Sequence, residues 1–480
     1  MQKYSSTGAR LVCAALGITV GPIVLAQGLM IDDQLIECGV LDPEFDGTTN
    51  MLTYQRVNDT QPRNEVIVQW VDRVNDGDLI PSPLDIDSDP GFYTNTQAGP
   101  KFANGTRLDQ TPELYLSYTR FDTSVGIRGY DPTRCTYPTS HPALCFDDTL
   151  DSRIPLAGAS DGVRSIVYTS EDEGLPYRAQ SVYLYLNQQG VRELRWSNLE
   201  EWTGTTTPGS ERSRFRPHIS WARLHELREP AGGGSLKAVA TAPVPFAGTT
   251  YDQVILIDTA NPAPNGTPDV QVTESGNTEE KFNPYLFYAP EFDANFVAYR
   301  SQVGANATSS SIVVYRETAL GSGNWERFLT IDADEVVDPN GVDEVTGGRP
   351  FLLSPETFTR DLGNGQFATF LIYSSSDALM FMGASDGNVW ATRLREEDPT
   401  GPPLGTLMLN SRERGVDMDA ERIRAELEVY FPDADNANMP AFFYSEVVKE
   451  NDGCGVPSGS ILRDFSLRRS TVSPAMLDAL

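Results

Sequence analysis

The sequence predicts an all-β chain folded as a β-propeller of about six four-stranded blades, with five or seven as the open alternatives. Three observations carry this. Short runs rich in β-branched and aromatic residues fill the chain and come in sets of four. One set is complete between Asn283 and Ile331. It runs Asn283-Pro-Tyr-Leu-Phe-Tyr-Ala-Pro-Glu291, Asn295-Phe-Val-Ala-Tyr-Arg300, Ser311-Ile-Val-Val-Tyr-Arg-Glu317 and Trp325 to Ile331. Finally, a proline leads the sets at steady intervals: 62 residues from Pro155 to Pro217, 67 to Pro284, 66 to Pro350 and 90 to Pro440. A β-rich repeat of that length suits a blade with long loops, each burying its faces only against its neighbours. An array of two-sheet sandwiches is the alternative that strand counts leave open.

In chain order, residues 27 to 63 are weakly patterned, with a strand expected at Met51 to Val57. Glu65-Val-Ile-Val-Gln-Trp-Val-Asp72 reads as a strand, and residues 76–110 as a loop insertion rich in Asp, Pro, Gly and Asn. Thr111-Pro112-Glu-Leu-Tyr-Leu-Ser-Tyr118 resumes the Pro-led pattern, so Pro112 heads the first expected blade. A second insertion, 130–150, holds Cys135, Cys145 and His141. Further strands are expected at Ser165 to Thr169, Ser181 to Leu186, Val191 to Trp196, Phe215 to Trp221, Leu236 to Thr241, Tyr251 to Asp258 and Asp269 to Thr273. After the central set come Phe351 to Glu356, Phe367 to Tyr373, Asn388 to Arg393 and Ala441 to Tyr444. The longest interval has a visible cause: Ile423, Leu427 and Tyr430 at helical spacing behind Asp417 predict a short helical insertion near 417–430.

Residues 1–26 read as a secretory signal, and 27–480 as one propeller domain ending in a C-terminal tail. Lys3 and Arg10 form a positive start, Leu11 to Val20 an apolar run, and Val24-Leu-Ala26 a small-residue cleavage site. The run is shorter than the roughly 20 apolar residues of a membrane span, and no later stretch approaches one. The expectation is an exported protein, periplasmic or extracellular. The formal net charge is −30, a field that repels nucleic acid and anionic lipid and excludes both as partners. Removing the leader leaves Cys38, Cys135, Cys145 and Cys454, an even set that suits two disulfides in an exported chain. Cys135 with Cys145 and Cys38 with Cys454 are the expected pairs, the second joining the two ends of a closed ring. Two unpaired buried thiols remain the alternative for Cys38 and Cys454.

The run Pro284-x-Leu-x-Tyr-Ala-Pro290-Glu, followed by Phe296-Val-Ala-Tyr and Ile312-Val-Val-Tyr, resembles the TolB-like propeller repeat. That repeat has a Pro-led strand, a Ser-Pro-Asp-Gly turn, an Ile-Ala-Phe strand and an Ile-Tyr strand. Ser354-Pro355-Glu356 reads as a second copy of the turn; Glu291 and Glu356 stand where the family has Asp, and its Gly is missing. The resemblance covers about residues 155–395. It implies a fold, and members range from binding scaffolds to enzyme domains, so it implies no single function.

Chemistry is sparsely written. The three histidines are His141, His218 and His225, too few and too scattered for a zinc set. Asp85-Ile-Asp87-Ser-Asp89 alternates oxygen donors as a calcium loop does, but Pro90 and Thr96 stand where an EF-hand needs Gly and Glu. No cofactor is required, and Ca2+ is the one ion these loops would suit. No Gly-x-Ser-x-Gly elbow or phosphate-binding glycine loop occurs. The first strand of each blade lines the axis, so the flanks of the leading prolines are the candidate ligand-binding positions: Arg216, His218, Asn283 and Arg349. Guanidinium groups there would hold an anion inside an acidic protein. The first reading is therefore a non-catalytic scaffold for a protein or small anionic ligand. A carbohydrate-active hydrolase or lyase on a propeller and a calcium-binding structural surface protein are the alternatives, and whether any catalysis occurs is left open.

Overall fold

In the computed structural model the β-branched and aromatic runs pair into antiparallel sheets, each a simple meander. The structure describes residues 31–46, 49–58, 63–71, 84–85, 100–106, 112–119, 125–147, 166–169, 179–186, 192–198, 212–214, 223–228, 230–231, 237–246, 249–258, 270–273, 279–303, 307–333, 351–376, 388–396, 405–409, 420–421, 428–430, 441–448 and 465–480. A lone N-terminal strand, β1 (Ile31–Cys38), precedes blade one: β2 (Val40–Asp46), β3 (Met51–Asn58), β4 (Arg63–Trp70) and β5 (Leu84–Asp85). Blade two is β6 (Lys101–Thr106), β7 (Pro112–Thr119), β8 (Val125–Tyr130) and β9 (Phe146–Asp147). Blade three is β10 (Ile166–Thr169), β11 (Ala179–Leu186), β12 (Arg192–Asn198) and β13 (Arg212–Arg214). Blade four is β14 (Arg223–Arg228), β15 (Lys237–Phe246), β16 (Thr249–Asp258) and β17 (Val270–Gln271). Blade five is β18 (Glu280–Ala289), β19 (Ala294–Gln302), β20 (Ser310–Glu317) and β21 (Trp325–Ile331). Blade six is β22 (Phe351–Gly363), β23 (Gln366–Ser376), β24 (Asn388–Arg393) and β25 (Thr406–Met408). Blade seven is β26 (Ala420–Glu421), β27 (Glu428–Tyr430), β28 (Ala441–Val448) and β29 (Phe465–Val472), a helix α1 (Pro474–Asp478) following.

The fold is a β-propeller, and the described residues form seven blades, one of the counts the sequence leaves open. The first strand of a blade packs on the blade before it: β18 on β14, β15 and β16, and β22 on β18, β19 and β20. By the same rule β2 packs on β27, β28 and β29, which closes the ring. β1 completes blade seven by pairing with β29, from Ile31 opposite Val472 to Cys38 opposite Ser466. Gly39, at φ +71, is the single residue between β1 and β2, and that left-handed corner is one glycine takes without strain.

The core lies between blades. Phe287, Phe296 and Phe328 of blade five meet Leu352, Leu371 and Trp390 of blade six. Phe358, Phe370 and Ile372 of blade six meet Phe442, Tyr444 and Val472 of blade seven. Tyr54 and Ile67 of blade one meet Phe443 and Leu467. Each interface removes apolar surface from water at roughly 25 cal/mol per Å², the main stabilising term in such a ring. Both faces of a blade are covered, so β19 is buried at nearly every residue instead of at alternate ones.

Three expectations are corrected here. Pro112 lies in β7 and Pro440 just precedes β28, each the second strand of its blade, so the proline count passed over blade one. The stretch 76–110 contains β5 and β6. The helix expected over 417–430 is replaced, at its described residues, by β26 and β27, which both pair with β28.

Residues 131–147 leave β8 and return as β9 through a 3-10 turn at Pro142–Cys145. Cys135 and Cys145 are disulfide-bonded with Cα atoms 5.0 Å apart. This loop folds back on blade one: the Trp70 indole N–H donates to the Ser140 carbonyl (2.7 Å), and Trp70 meets Tyr137 edge to face (5.3 Å). Cys38 is also disulfide-bonded, to a partner outside the described residues.

Candidate binding site at the heads of the inner strands

The inner strands of blades one, five and six share one irregularity. In β18, Asn283 and Pro284 together oppose the single residue Tyr299 of β19. In β22, Ser354 and Pro355 oppose Tyr373 of β23. In β2, Asp42 and Pro43 oppose Tyr54 of β3. Proline lacks a ladder donor, so an edge-strand bulge is where it costs least. Asn283 and Ser354 take φ of +48 and +45, a left-handed conformation Asn tolerates and Ser adopts rarely. In blade seven the inner strand is interrupted at the same place, since β27 pairs as far as Phe443 and β26 from Val447, with Tyr444 facing the gap. Blades five, six, seven and one are consecutive around the ring, so the irregular inner edges form one arc.

Each tyrosine is fully buried. Its diagonal neighbour on the third strand decides whether its hydroxyl is satisfied. The Tyr54 hydroxyl donates to Gln69 Oε1 (2.9 Å), and the Tyr373 hydroxyl shares a 2.7 Å bond with Thr392 Oγ1. At Tyr299 that neighbour is Tyr315, its ring 6.0 Å away, and the Tyr299 hydroxyl has no hydrogen-bond partner. Burial, then Tyr315 and Glu279, hold the Tyr299 phenol well above its usual range. A raised phenol favours the fold fully below the unfolded value near 10, and that contribution is lost as pH rises toward the folded value. Tyr299→Phe should therefore leave thermal stability at pH 7 unchanged or slightly higher and flatten the loss above pH 10. Tyr54→Phe and Tyr373→Phe should each cost about 1 kcal/mol, by removing a buried hydrogen bond to Gln69 or Thr392. Equal effects at all three positions would refute the distinction.

The bulges bring adjacent blades together. Asn283 Nδ2 donates to Ser354 Oγ across the blade five–six boundary (3.3 Å), both residues half-buried. Beside them, Ser310 Oγ donates to the Leu352 carbonyl (2.8 Å) and accepts from the Leu352 N–H (2.9 Å). On the opposite face of β18 the Lys281 side chain is fully buried, its ammonium donating to the Glu279 carbonyl, while Ser301 Oγ donates to Glu279 Oε2 (2.6 Å). The Arg300 guanidinium lies over the Phe282 ring, 4.2 Å from its centre.

Of the residues expected to bind ligand, Asn283 is in this cluster; Arg216, His218 and Arg349 lie outside the described residues. Asp85 ends β5 opposite Ile67, while Asp87 and Asp89 are outside the described residues. Among the described residues no group of three His, Cys, Asp or Glu is placed to hold a metal ion. Sequence reasoning missed Ser354, Lys281, Arg300 and the tyrosines. In sequence, Ser354-Pro355 matches the turn at Ala289-Pro290. The register instead equates it with Asn283-Pro284, and the turn of blade six is Gly363-Asn364-Gly365, all at positive φ. An Asn or Ser before Pro, four residues into a strand, is the signal that could have found it.

No protein-family model matches the sequence, and no curated protein matches it. Solved structures with similar folds include Drosophila Plexin A in complex with Semaphorin 1b, at 9% identity and a TM-score of 0.41, covering 92% of this chain and 87% of that one. An α-L-arabinofuranosidase from Lactobacillus brevis matches at 14% identity and a TM-score of 0.32, over 64% of this chain and 89% of that one. A lectin from Burkholderia pseudomallei matches at 10% identity and a TM-score of 0.35, over 78% and 99%. Likenesses of this size say nothing of chemistry, and the fold stands on its own sheet topology.

Proposed function

We propose that this chain is an exported, non-catalytic propeller that binds a small anion or an acidic protein surface at the axial heads of its inner strands. The observation that carries the reading is the Asn283–Ser354 hydrogen bond, which sets polar side chains of two adjacent blades together at that edge. The bonded Cys135–Cys145 pair and the bonded Cys38 fit an oxidising compartment. Among the described residues no helix is long and apolar enough to cross a membrane. Arg349 lies five residues before Ser354 in the chain, and with Arg216 and His218 it belongs to the proposed anion-holding set. Membership of the TolB-like group is part of this proposal, supported by the shared bulge-and-tyrosine register of blades one, five and six.

Titration calorimetry with a panel of carboxylates and acidic peptides tests it. Asn283→Ala and Arg349→Met should each weaken binding about tenfold while the melting temperature moves little. A wild-type protein that binds none of the panel and hydrolyses an oligosaccharide would replace this reading with the carbohydrate-active one.

A further inference from the structure

We infer that residues 473–480 form a strap that locks blade seven onto blade six and opens on its own, ahead of the ring. The inference is independent of the anion-binding reading. The chain leaves β29 at Val472, and Pro474 starts α1 at the position where a proline's missing N–H does no harm. Leu480 follows Leu477 by three residues and Met476 by four, so the three share one face of the turn. Leu477 is fully buried in the apolar cluster that joins Phe358 and Phe370 of blade six to Phe442 and Val472 of blade seven, and Met476 and Leu480 pack against it. Gly405, just before β25, makes room for Leu480: a Cβ there would stand 3.3 Å from Leu480 Cδ2 and 3.4 Å from its Cα. On β22, Arg360 Nη1 donates to the Pro474 carbonyl (3.2 Å) and to the Asp478 carboxylate, holding both ends of α1.

The strap differs in kind from what it holds. β29 is tied to β28 and to β1 by ladders along its length. Among the described residues the strap's backbone bonds are local: Met476 N–H donates to the Ser473 carbonyl (2.9 Å) and Leu480 N–H to the Leu477 carbonyl (3.2 Å). A helix of five residues is far below the roughly 12 needed to persist alone, so α1 owes its order to its seat. Asp478 is 48% exposed, which makes its ion pair with Arg360 a weak tie. The seat therefore rests on one buried leucine, two half-buried apolar side chains and one guanidinium, with no ladder to unzip. Such a contact opens at a fraction of the free energy that opens the ring. In the same cluster Phe358 stacks on Phe370 (4.9 Å) and meets Phe442 edge to face (5.5 Å), so opening exposes the aromatic contact across the blade six–seven seam. β22 carries Ser354 of the candidate site near its start and Arg360 near its end, so the strap fixes the far end of a strand that builds the site.

Limited chymotrypsin digestion of the full chain, read by mass as cleavage after Leu477, tests it over a range of urea below the unfolding midpoint. Wild type should be cut at least about tenfold more slowly than a free peptide of residues 470–480, because Leu477 is seated. The rate should depend only weakly on urea, the mark of an opening that exposes little surface, whereas global unfolding carries the full m-value. Arg360→Met and Gly405→Val should each raise the rate about fivefold, the first by freeing both ends of α1 and the second by displacing Leu480. If either variant does not fold, the wild-type urea series decides. Cleavage as fast as that of the free peptide would show the segment unseated, and cleavage that tracks global unfolding would make it an integral part of the ring. Either result overturns the strap, as would wild-type rates in both variants.

Discussion

On the expected pairing of Cys38 with Cys454, which closes a very long loop, replacing Cys38 with Ser should lower the unfolding free energy by about 4 to 5 kcal/mol, less any strain released, on chain-entropy estimates. Cys38 ends β1, the N-terminal strand that completes blade seven beside β29, and it is disulfide-bonded. A propeller ring is closed by non-covalent pairing unless a bond fixes the last seam. Without the bond, the unfolded chain regains the freedom of its ends, and β1 is held by its ladder and by burial alone. Denaturant unfolding of wild type and Cys38→Ser under non-reducing conditions measures the difference, with limited proteolysis reporting whether β1 detaches first. An unfolding free energy unchanged to within about 1 kcal/mol would show that the seam needs no covalent help.

The second large effect is expected at Asn295, 1% exposed at the start of β19. Its Nδ2 donates to Glu317 Oε2 (2.9 Å) and to the Ala231 carbonyl of blade four (3.2 Å), and its Oδ1 accepts from the Ala231 N–H (2.9 Å). Glu317, 5% exposed, also accepts from the Gly323 N–H (2.8 Å). Asn295→Ala would strand a buried carboxylate and both backbone groups of Ala231, a loss of about 3 to 5 kcal/mol. Glu317→Gln keeps the shape and should cost closer to 1 kcal/mol. Urea unfolding with an unchanged m-value is the measurement, and an Asn295→Ala protein as stable as wild type would contradict the account. The clamp recurs one blade on. Thr369, the residue of β23 in the same register, donates its N–H to Glu291 Oε1 (2.6 Å) and its hydroxyl to Glu291 Oε2 (2.9 Å) of blade five. The acid of the Ala-Pro-Glu turn thus works between blades.

Much of the strand content was legible because propeller blades are covered on both faces. Phe296-Val-Ala-Tyr and Phe370-Leu-Ile-Tyr read as strands from local composition, and they are buried strands. The blade count was less legible. β5, β9 and β17 are two residues long, too short to leave a periodic trace. The prolines mark bulges or second strands as readily as first strands. Of the candidate site, only Asn283 was picked out. Ser354 was hidden because Ser-Pro-Glu has the same local grammar in a turn and in a bulge.

The sequence by itself determined what depends on near neighbours and on totals: β-rich repeats, a strongly acidic charge, and a cysteine pair ten residues apart that now forms the Cys135–Cys145 bond. Tertiary structure decided what depends on a partner far along the chain. Ile423, Leu427 and Tyr430 carry helical spacing, yet Tyr430 is a strand residue because Ala441 offers its backbone opposite it. Tyr54, Tyr299 and Tyr373 look alike in sequence, yet two have satisfied hydroxyls and one does not, because the third strand supplies Gln69, Thr392 or Tyr315. Arg300 sits over Phe282, and Asn283 reaches Ser354 across 71 residues, only once two inner strands lie side by side. Local propensity is worth tenths of a kcal/mol per residue, whereas burial and pairing between distant strands are worth several times that, so where they disagree the distant contacts prevail.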